Sequence, residues 1–185
     1  MDQINIYLNA IFGDGRVVKT KSGKDMLNFY NTNKSLMLFK LSFFEKCTLR
    51  TTQPKYKNAK LVYYFNKTVQ RENSEYMVRI KNIKYQDLIL WLFDDGTLDI
   101  RRKTYTLSSK GLNLAENIEL SWHLWHSFKI STKVYHHNHK QNQKLYWYIR
   151  FEPDSGRRIA KSLKIFAEEN KIKDMEYKYE PLLLL

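Results

Sequence analysis

Two nine-residue stretches decide the fold of this chain: YLNAIFGDG at residues 7–15 and LILWLFDDG at residues 88–96. Each predicts an apolar helix that ends at an Asp-Gly pair. The two pairs, Asp14-Gly15 and Asp95-Gly96, are offset by 81 residues. An acidic side chain at a helix C-terminus faces the negative end of the helix dipole, so its presence at two equivalent positions needs a reason.

The segments around the two stretches repeat one order, namely helix, strand, strand, helix, strand, strand. The first copy is predicted to contain a helix at 3–13, strands at 16–20 and 26–31, a helix at 34–46 capped by Asn33, and strands near 48–53 and 59–66. The second is predicted to contain a helix at 85–94, strands at 97–101 and 104–109, a helix opened by the capping box Asn113 and Glu116, strands near 131–136 and 144–151, and a last helix capped by Asp154. The polar stretch 67–82 has no clear assignment. This order favours an internal duplication, with half-domains at 1–82 and 83–185 that share one helical seam.

Apolar spacing predicts which helix faces are buried. Leu114, Ile118, Trp122 and Trp125 recur at intervals of four, four and three residues, which is typical of a helix face packed on a core. We therefore expect these side chains to be buried, and the other two tryptophans, Trp91 and Trp147, to belong to the core as well.

Composition excludes several classes of protein. The 185 residues include 32 Lys and Arg against 19 Asp and Glu, a net charge of +13, which indicates a polyanionic partner and most often nucleic acid. Cys47 is the only cysteine, so neither an intramolecular disulfide nor a cysteine-based zinc site is possible, and a reducing compartment is expected. No apolar run approaches the roughly 20 residues of a membrane span, and no signal peptide is evident. We expect an intracellular protein of a bacterial or phage cytoplasm or an organelle matrix, not a secreted one.

The two acids are best explained by a divalent cation. Mg²⁺ binds one or two carboxylates and accepts phosphate oxygens as further ligands. If the two helices pack side by side, Asp14 and Asp95 meet at one end of the seam, beside free carbonyls such as those of Gly13 and Asp94. Such a site suits metal-assisted hydrolysis of a phosphodiester. The alternative is that each Asp-Gly pair only forms a turn after its helix. The occurrence of the pair at equivalent positions of both copies favours the metal site over this alternative.

The two stretches resemble the paired signatures of the LAGLIDADG homing endonucleases, and the ending LFDDG at residues 92–96 is similar to the second motif of the single-chain, intron-encoded branch. The resemblance covers nearly the whole chain. It implies an α+β fold of two αββαββα half-domains with pseudo-two-fold symmetry, motif helices at the central seam and two curved antiparallel sheets over the DNA. The third and seventh motif positions are often small in the family. Here the third position is Asn9 in the first motif and Leu90 in the second, and the seventh is Gly13 in the first and Asp94 in the second.

The resemblance also implies an activity. Asp14 and Asp95 would bind Mg²⁺ and each direct cleavage of one DNA strand, leaving 3′ overhangs. Mn²⁺ is expected to substitute, and Ca²⁺ to bind without supporting cleavage. The family places a basic residue near each metal centre: MEYK at residues 175–178 favours Lys178 for the second, and Arg71, with Lys67 as the rival, is the choice for the first.

Strand alternation predicts the DNA contacts, because residues opposite an apolar sheet face can read the major groove and basic loop tips can hold phosphates. In the first half these are Arg16, Lys19, Lys21, Lys24, Asn28, Tyr30, Arg50, Gln53, Lys55, Lys60 and Tyr64. In the second half they are Arg101, Arg102, Lys103, Thr104, Thr106, Lys133, Tyr135, His137, Lys140, Lys144, Tyr146, Tyr148 and Arg150. All five histidines lie between 123 and 139; a transition-metal site is conceivable, but helix-surface and DNA-contacting roles explain them better.

These observations predict a monomeric, sequence-specific double-stranded DNA endonuclease. The alternative is a relative that binds nucleic acid without cutting it, either a maturase that folds its own intron RNA or a DNA-binding regulator. A further alternative is a basic RNA-binding protein outside the family. Retention of both Asp14 and Asp95 favours the enzyme, because a protein that only binds has no need of acids at a helix end.

Overall fold

The computed structural model describes residues 5–56, 58–69, 76–109, 111–138 and 145–184. The first half contains α1 (Ile6–Phe12), β1 (Gly15–Lys19), β2 (Asp25–Asn31), α2 (Lys34–Leu41), β3 (Arg50–Thr52), β4 (Val62–Val69) and α3 (Tyr76–Lys81). The second half contains α4 (Tyr85–Asp95), β5 (Gly96–Asp99), β6 (Thr104–Ser108), α5 (Leu114–Phe128), β7 (Thr132–Asn138), β8 (Leu145–Phe151) and α6 (Pro153–Glu169). A 3₁₀ turn (Glu176–Lys178) and α7 (Glu180–Leu183) follow.

The strands form two four-stranded antiparallel sheets with the same internal order, β1-β2-β4-β3 in one and β5-β6-β8-β7 in the other. The register also corresponds, because Gly15 pairs with Phe29 in the first sheet and Gly96 with Leu107 in the second. The predicted α+β class with duplicated halves is therefore confirmed.

Helices α1 and α4 pack against each other at the centre of the molecule. The rings of Phe12 and Trp91 stack with centroids 4.9 Å apart, and every residue of α4 from Leu88 to Phe93 is buried. Leu8 and Leu36 of the first half share one core with these residues. The hydrophobic effect thus joins the halves through a common interior rather than through a linker.

The glycine of each Asp-Gly pair is required by crowding. A β-carbon at Gly15 would lie 2.5 Å from the Ala10 α-carbon, and one at Gly96 would lie 2.4 Å from the Leu92 carbonyl oxygen. In both halves the chain turns back against its own helix as it enters the next strand. Only glycine permits so close an approach, so part of the motif is explained by backbone packing alone.

Some boundaries differ from the predictions. The unassigned stretch contains the end of β4 and the helix α3, while α2 ends at Leu41 rather than 46. Asp154 does not cap α6: Glu152 occupies the cap position and Pro153 the first helical position, so Asp154 lies in the first turn. Proline is favoured there because the first turn needs no intrahelical N–H donor.

The predicted buried face of α5 is wrong. Ile118 and Trp122 remain 55% and 54% exposed, with Trp125 and Leu114 at 49% and 43%. The opposite face, with Asn117, Leu120, His123 and Leu124, packs inward instead. Leucines there fit closely against the sheet, whereas the larger indoles extend into solvent. Trp91 is in the core as predicted, whereas the prediction for Trp147 is wrong because its ring is only half-buried and lines a cleft beside the second sheet.

Among the described residues, no helix combines the length and the apolar character needed to cross a membrane.

Candidate metal and nucleic-acid site

The carboxyl groups of Asp14 and Asp95 meet at the C-terminal end of the helical seam. Asp14 lies two residues beyond α1, Asp95 is the last residue of α4, and their side chains hydrogen-bond to each other. The pKa of Asp14 is raised to about 7, first by burial and then by the nearby carboxyl groups of Asp94 and Asp95, while the charge of Lys40 acts in the opposite direction. A shared proton is stable between two such groups because they cannot both ionise at low cost.

Each acid also opens onto its own cleft. Asp14 lines a cleft of about 380 Å³ beside the first sheet, together with Asn31, Lys60, Tyr63 and Tyr177. Asp95 lines a second cleft, of about 400 Å³, beside the outer face of the second sheet. The second cleft is further lined by Thr97, Thr106, Ser108, His137, Trp147, Tyr148 and Arg150. The two acids are thus adjacent at the seam but exposed to different surfaces of the molecule.

Two residues that the sequence did not indicate hold or face Asp14. The side-chain amide of Asn31, at the end of β2, donates to Asp14 Oδ2 at 2.6 Å. Burial, and then the charge of Asp14, raises the pKa of Tyr177. Asn31 belongs to no motif, and Tyr177 was not itself singled out within the segment 175–178; only the tertiary fold brings β2 and the C-terminal 3₁₀ turn to this point.

A buried ion pair lies beside the two acids. Lys40 Nζ of α2 donates to both carboxylate oxygens of Asp94, at 2.6 and 2.8 Å, and both side chains are fully buried. The Asn9 amide donates to the same carboxylate at 2.8 Å. Gly13 leaves room for it, since a β-carbon there would lie 2.2 Å from Asp94 Oδ2. The third and seventh motif positions are therefore coupled across the seam by hydrogen bonds.

Lys178 lies at the C-terminal end of α4. Its ammonium group donates to the Gly96 carbonyl and, at 3.4 Å, to the Leu92 carbonyl. Burial lowers the pKa of Lys178, while the charges of Asp94, Asp14 and Asp95 act in the opposite direction. A cation at this helix end compensates for the acids there, and it stands near both of them.

The donor set fits a hard divalent cation. Mg²⁺ favours one or two carboxylates plus carbonyl and water oxygens, which the carboxylates of Asp14 and Asp95 and the carbonyls of Gly13 and Asp94 can supply. The carboxylate of Asp94 is engaged by Lys40 and Asn9, so only its backbone oxygen can serve. Within the described ranges, no group of three or more His, Cys, Asp or Glu side chains is placed to hold a metal ion. Burial, and then repulsion by Asp94 and Asp95, raises the pKa of Asp14, and a bound cation would favour the ionised carboxylate against both effects.

The basic residue predicted for the first half is not located. Arg71 lies outside the described residues, as do Lys140 and Lys144. The rival, Lys67, donates to the Glu45 carbonyl at 2.9 Å. Among the described residues, Lys34 and Lys60 are the cations that line the Asp14 cleft.

The first sheet presents polar residues on the face opposite the core. Leu27, Phe29 and Phe65 are buried, and the residues that alternate with them are not. Arg16 pairs with Asn28, Tyr30 with Tyr64, and Tyr64 with Arg50, so the predicted contacts of this sheet form neighbouring rows. Gln53, just after β3, instead donates to the Ala59 carbonyl at 2.5 Å.

The outer face of the second sheet is more aromatic. Tyr135 stacks on Tyr148 with centroids 5.6 Å apart, and His137 stacks on Tyr146 at 5.7 Å. The Arg150 guanidinium lies 4.5 Å from the Tyr135 ring centroid. Its Nε is a buried donor with no hydrogen-bond partner among the residues that the structure describes. Thr106 lies on this face as predicted, in register with Arg150.

The prediction that Thr104 contacts DNA is wrong. Thr104 is 1% exposed, and its hydroxyl donates to the Phe151 carbonyl. It cannot reach a ligand on the sheet surface. Lys133 is exposed but pairs with Glu152 at 2.9 Å. The remaining loop cations are all exposed: Lys19, Lys21, Lys24, Lys55, Arg101, Arg102 and Lys103.

The histidines do not assemble a metal site within the described part of the chain. His123, expected on the helix surface, is buried and its Nε2 lies 2.8 Å from the Ile83 carbonyl oxygen. His126 stacks on Trp122 at 3.8 Å. His139 lies outside the described residues.

The fold is similar to that of the homing endonuclease I-WcaI, solved bound to its DNA recognition sequence. The TM-score is 0.66 at 19% identity, and the match covers 94% of this chain and 84% of that chain. Full-length DUF199/WhiA from Thermatoga maritima is also similar, with a TM-score of 0.52 at 8% identity over 100% of this chain and 61% of that one. No protein-family sequence model and no curated protein sequence matches this chain. At these identities the comparisons establish the fold, which is that of a homing endonuclease.

Proposed function

We propose that this protein is a site-specific, metal-dependent endonuclease for double-stranded DNA, of the single-chain LAGLIDADG type. The observation that carries the proposal is the meeting of Asp14 and Asp95 at the end of two packed helices, each acid opening onto a cleft beside a different sheet. A protein that only binds nucleic acid gains nothing from two carboxyl groups that repel each other beneath its binding surface.

Asp14 and Asp95, with the carbonyls of Gly13 and Asp94, would hold the metal. When bound, Mg²⁺ would activate water and stabilise charge on the departing oxygen of the phosphodiester. Asn31 orients the Asp14 carboxyl through its hydrogen bond, and the Lys40–Asp94 pair packs beside both acids. Lys60 lines the Asp14 cleft and would attract a phosphate there, while Lys178, buried against the Gly96 carbonyl, would add positive charge behind the two acids.

Recognition of DNA is assigned to the outer sheet faces. Arg16, Asn28 and Arg50 in the first sheet carry donors that suit base edges in the major groove. In the second sheet Arg150 carries a guanidinium group that suits the same readout, and its buried Nε has no hydrogen-bond partner within the described part of the chain. The exposed loop cations would neutralise phosphates, which gives affinity without sequence information. One chain supplies both half-sites, so one strand would be cut beside each acid, leaving 3′ overhangs. An intracellular location follows from this substrate.

A second candidate is a non-cleaving binder of nucleic acid, such as a maturase for its own intron RNA. The aromatic rows Tyr135–Tyr148 and His137–Tyr146 favour it, since aromatic side chains stack on unpaired bases. Such a protein would bind with or without Mg²⁺ and would leave the substrate intact.

The experiment that separates the two is selection of cleaved sites from a randomised plasmid library in Mg²⁺. The wild-type protein is expected to linearise a small set of related sequences, with Mn²⁺ able to replace Mg²⁺ and Ca²⁺ supporting binding only. The Asp14→Asn/Asp95→Asn double variant should retain binding and lose cleavage. Tight binding with no cutting in Mg²⁺ or Mn²⁺ would assign the protein to the second candidate.

A further inference from the structure

The helical seam beside the two acids is filled differently in the two halves. In one place Lys40 and Asn9 hold the Asp94 carboxylate, with donor–acceptor distances of 2.6 to 2.8 Å. The corresponding positions of the other half carry no charge: Leu90, Leu120 and Gly13. They correspond by motif position in α1 and α4, and by distance from the asparagine cap in α2 and α5. The same part of the fold therefore contains a buried ion pair once and apolar groups once.

Stability does not explain why the charged arrangement exists. Two charges lose their hydration when they are buried, and replacing a buried ion pair by matched apolar side chains is often neutral or stabilising. The buried Leu120 shows that this fold accommodates the apolar alternative at the corresponding position. The reason for Lys40 is therefore to be found in what the Asp94 carboxylate would do without it.

The Asp94 carboxylate lies directly beside the candidate metal site. A β-carbon at Gly13 would collide with Asp94 Oδ2, so this carboxylate fills the space next to the residue that precedes Asp14. After burial, Asp94 contributes most to the raised pKa of Asp14, more than Asp95 does. Asp94 also lines the Asp14 cleft, but its side chain is 0% exposed, so only its backbone reaches that cleft.

We propose that Lys40 is a positioning residue: together with Asn9 it holds the Asp94 carboxylate away from the metal and leaves Asp14 and Asp95 as the two acids that bind it. This inference rests on the proposed function. Successive residues of a helix point about 100° apart, so the carboxylates of Asp94 and Asp95 face different directions. Without the ammonium group of Lys40, the Asp94 carboxylate would compete with Asp95 for a cation beside Asp14.

Binding of Mn²⁺ to the full chain without DNA, followed by electron paramagnetic resonance of the free ion, tests which acids bind the metal. Asp95→Asn is expected to weaken Mn²⁺ binding at least about tenfold in the otherwise wild-type chain. In the Lys40→Met background the same substitution should weaken it less than about threefold, because Asp94 supplies the missing carboxylate. In the Lys40→Met/Asp94→Leu background the full dependence on Asp95 should return, since no spare carboxylate remains.

Leu120→Met is the matched control, because it places the same side chain at the corresponding position of the other half and changes little volume. In this background Mn²⁺ binding should depend on Asp95 as it does in the wild type. Strand-specific nicking gives a second readout that loss of folded protein would not produce. On a supercoiled plasmid with the selected site, Lys40→Met should lower the cutting of one strand at least about tenfold more than that of the other. A purely structural defect would lower both equally.

If Lys40→Met is unfolded without metal, Mn²⁺ at about 10 mM should refold it, because a cation bound by Asp94 replaces the lost ammonium group. Circular dichroism measures this. A Lys40→Met chain that stays unfolded in Mn²⁺, or equal dependence on Asp95 in the wild-type and Lys40→Met backgrounds, overturns the inference and leaves the proposed function intact. A wild-type chain that binds no Mn²⁺ overturns the inference and, if it also cuts no DNA, the proposed function with it.

Discussion

The two halves of the molecule share their framework and differ in what surrounds the acids. Both have the same strand order, an asparagine N-cap on the helix between their strand pairs, and an acid followed by a crowded glycine. Seven residues beyond those caps, however, the first half has Lys40 and the second has Leu120. Lys40 enters the seam and pairs with Asp94, while Leu120 is part of the apolar core. The two halves thus share the backbone order and the acids but differ in the charges that surround them.

The divergence makes the two clefts chemically unequal. Asp14 is held by Asn31 and lies in a cleft with Lys60, whereas Asp95 opens toward Arg150 and a row of aromatic rings. If each acid directs the cutting of one strand, the two strands should be separable by mutation. The following predictions test this comparison.

The largest effect is expected from the acids themselves. Asp14→Asn and Asp95→Asn should each lower double-strand cleavage by at least about a thousandfold, because each removes a metal-binding carboxylate. A supercoiled plasmid carrying the selected site shows whether a single variant nicks one strand or loses all activity. Full double-strand cutting by either variant would remove that acid from the proposed mechanism. Asp154→Asn, on the exposed first turn of α6, serves as the control.

The second largest effect concerns the asymmetric ion pair. Lys40→Met should lower the free energy of unfolding by about 3 to 5 kcal/mol, because it leaves the Asp94 carboxylate buried without its cation. The Lys40→Met/Asp94→Leu double variant should recover much of that loss, since neither buried charge remains. Urea denaturation measures four proteins: the wild type, Lys40→Met, Asp94→Leu and the double variant.

Lys34→Met, at an exposed position of the same helix, is the matched control for Lys40→Met. Equal effects of the two lysine substitutions would mean that the buried pair is not important for stability. Additivity in the double-variant cycle would lead to the same conclusion.

A third prediction follows from the raised pKa of Asp14. Its value of about 7 exceeds the ordinary 3.8, so the folded state retains a proton that the unfolded chain releases above about pH 4. The free energy of unfolding should therefore fall by about 1 to 3 kcal/mol as the pH rises from about 4 to about 7 without metal. Asp14→Asn should lack most of this decline, and Mg²⁺ should counteract it in the wild type. An identical pH dependence in wild type and variant would show that Asp14 does not titrate in this range.

The smallest effect compares the two sheet surfaces. Arg150→Ala is expected to weaken binding to the selected site about tenfold, through loss of its donors and of its packing on Tyr135. Arg102→Ala, in an exposed loop, should weaken binding to every sequence alike and lower the salt slope by about one. Fluorescence anisotropy in Ca²⁺ at several salt concentrations measures both. If Arg150→Ala weakened binding to all DNA sequences equally, Arg150 would be a phosphate contact and not a residue that reads bases.

Much of this architecture could be predicted from local patterns. The helix periods, the strand alternation and the Asp-Gly pairs depend on residues that are close in the chain, so the duplicated α+β order and the outward positions of Asn28 and Tyr30 followed from them. The α5 face could not be predicted in this way, because that helix has apolar residues on two sides. The choice of Leu120 and Leu124 over Trp122 and Trp125 depends on which side chains fit against the second sheet.

The sequence by itself determined the repeat, the net charge of +13 and the two acids that close the motif helices. Only the tertiary structure decided which groups surround those acids. Lys40, Asn31 and Tyr177 reach them from α2, β2 and the C-terminal turn, at distances along the chain that no spacing rule connects. The physical reason is that electrostatic interactions in a buried seam depend on separation in space and on desolvation, and both are set by packing.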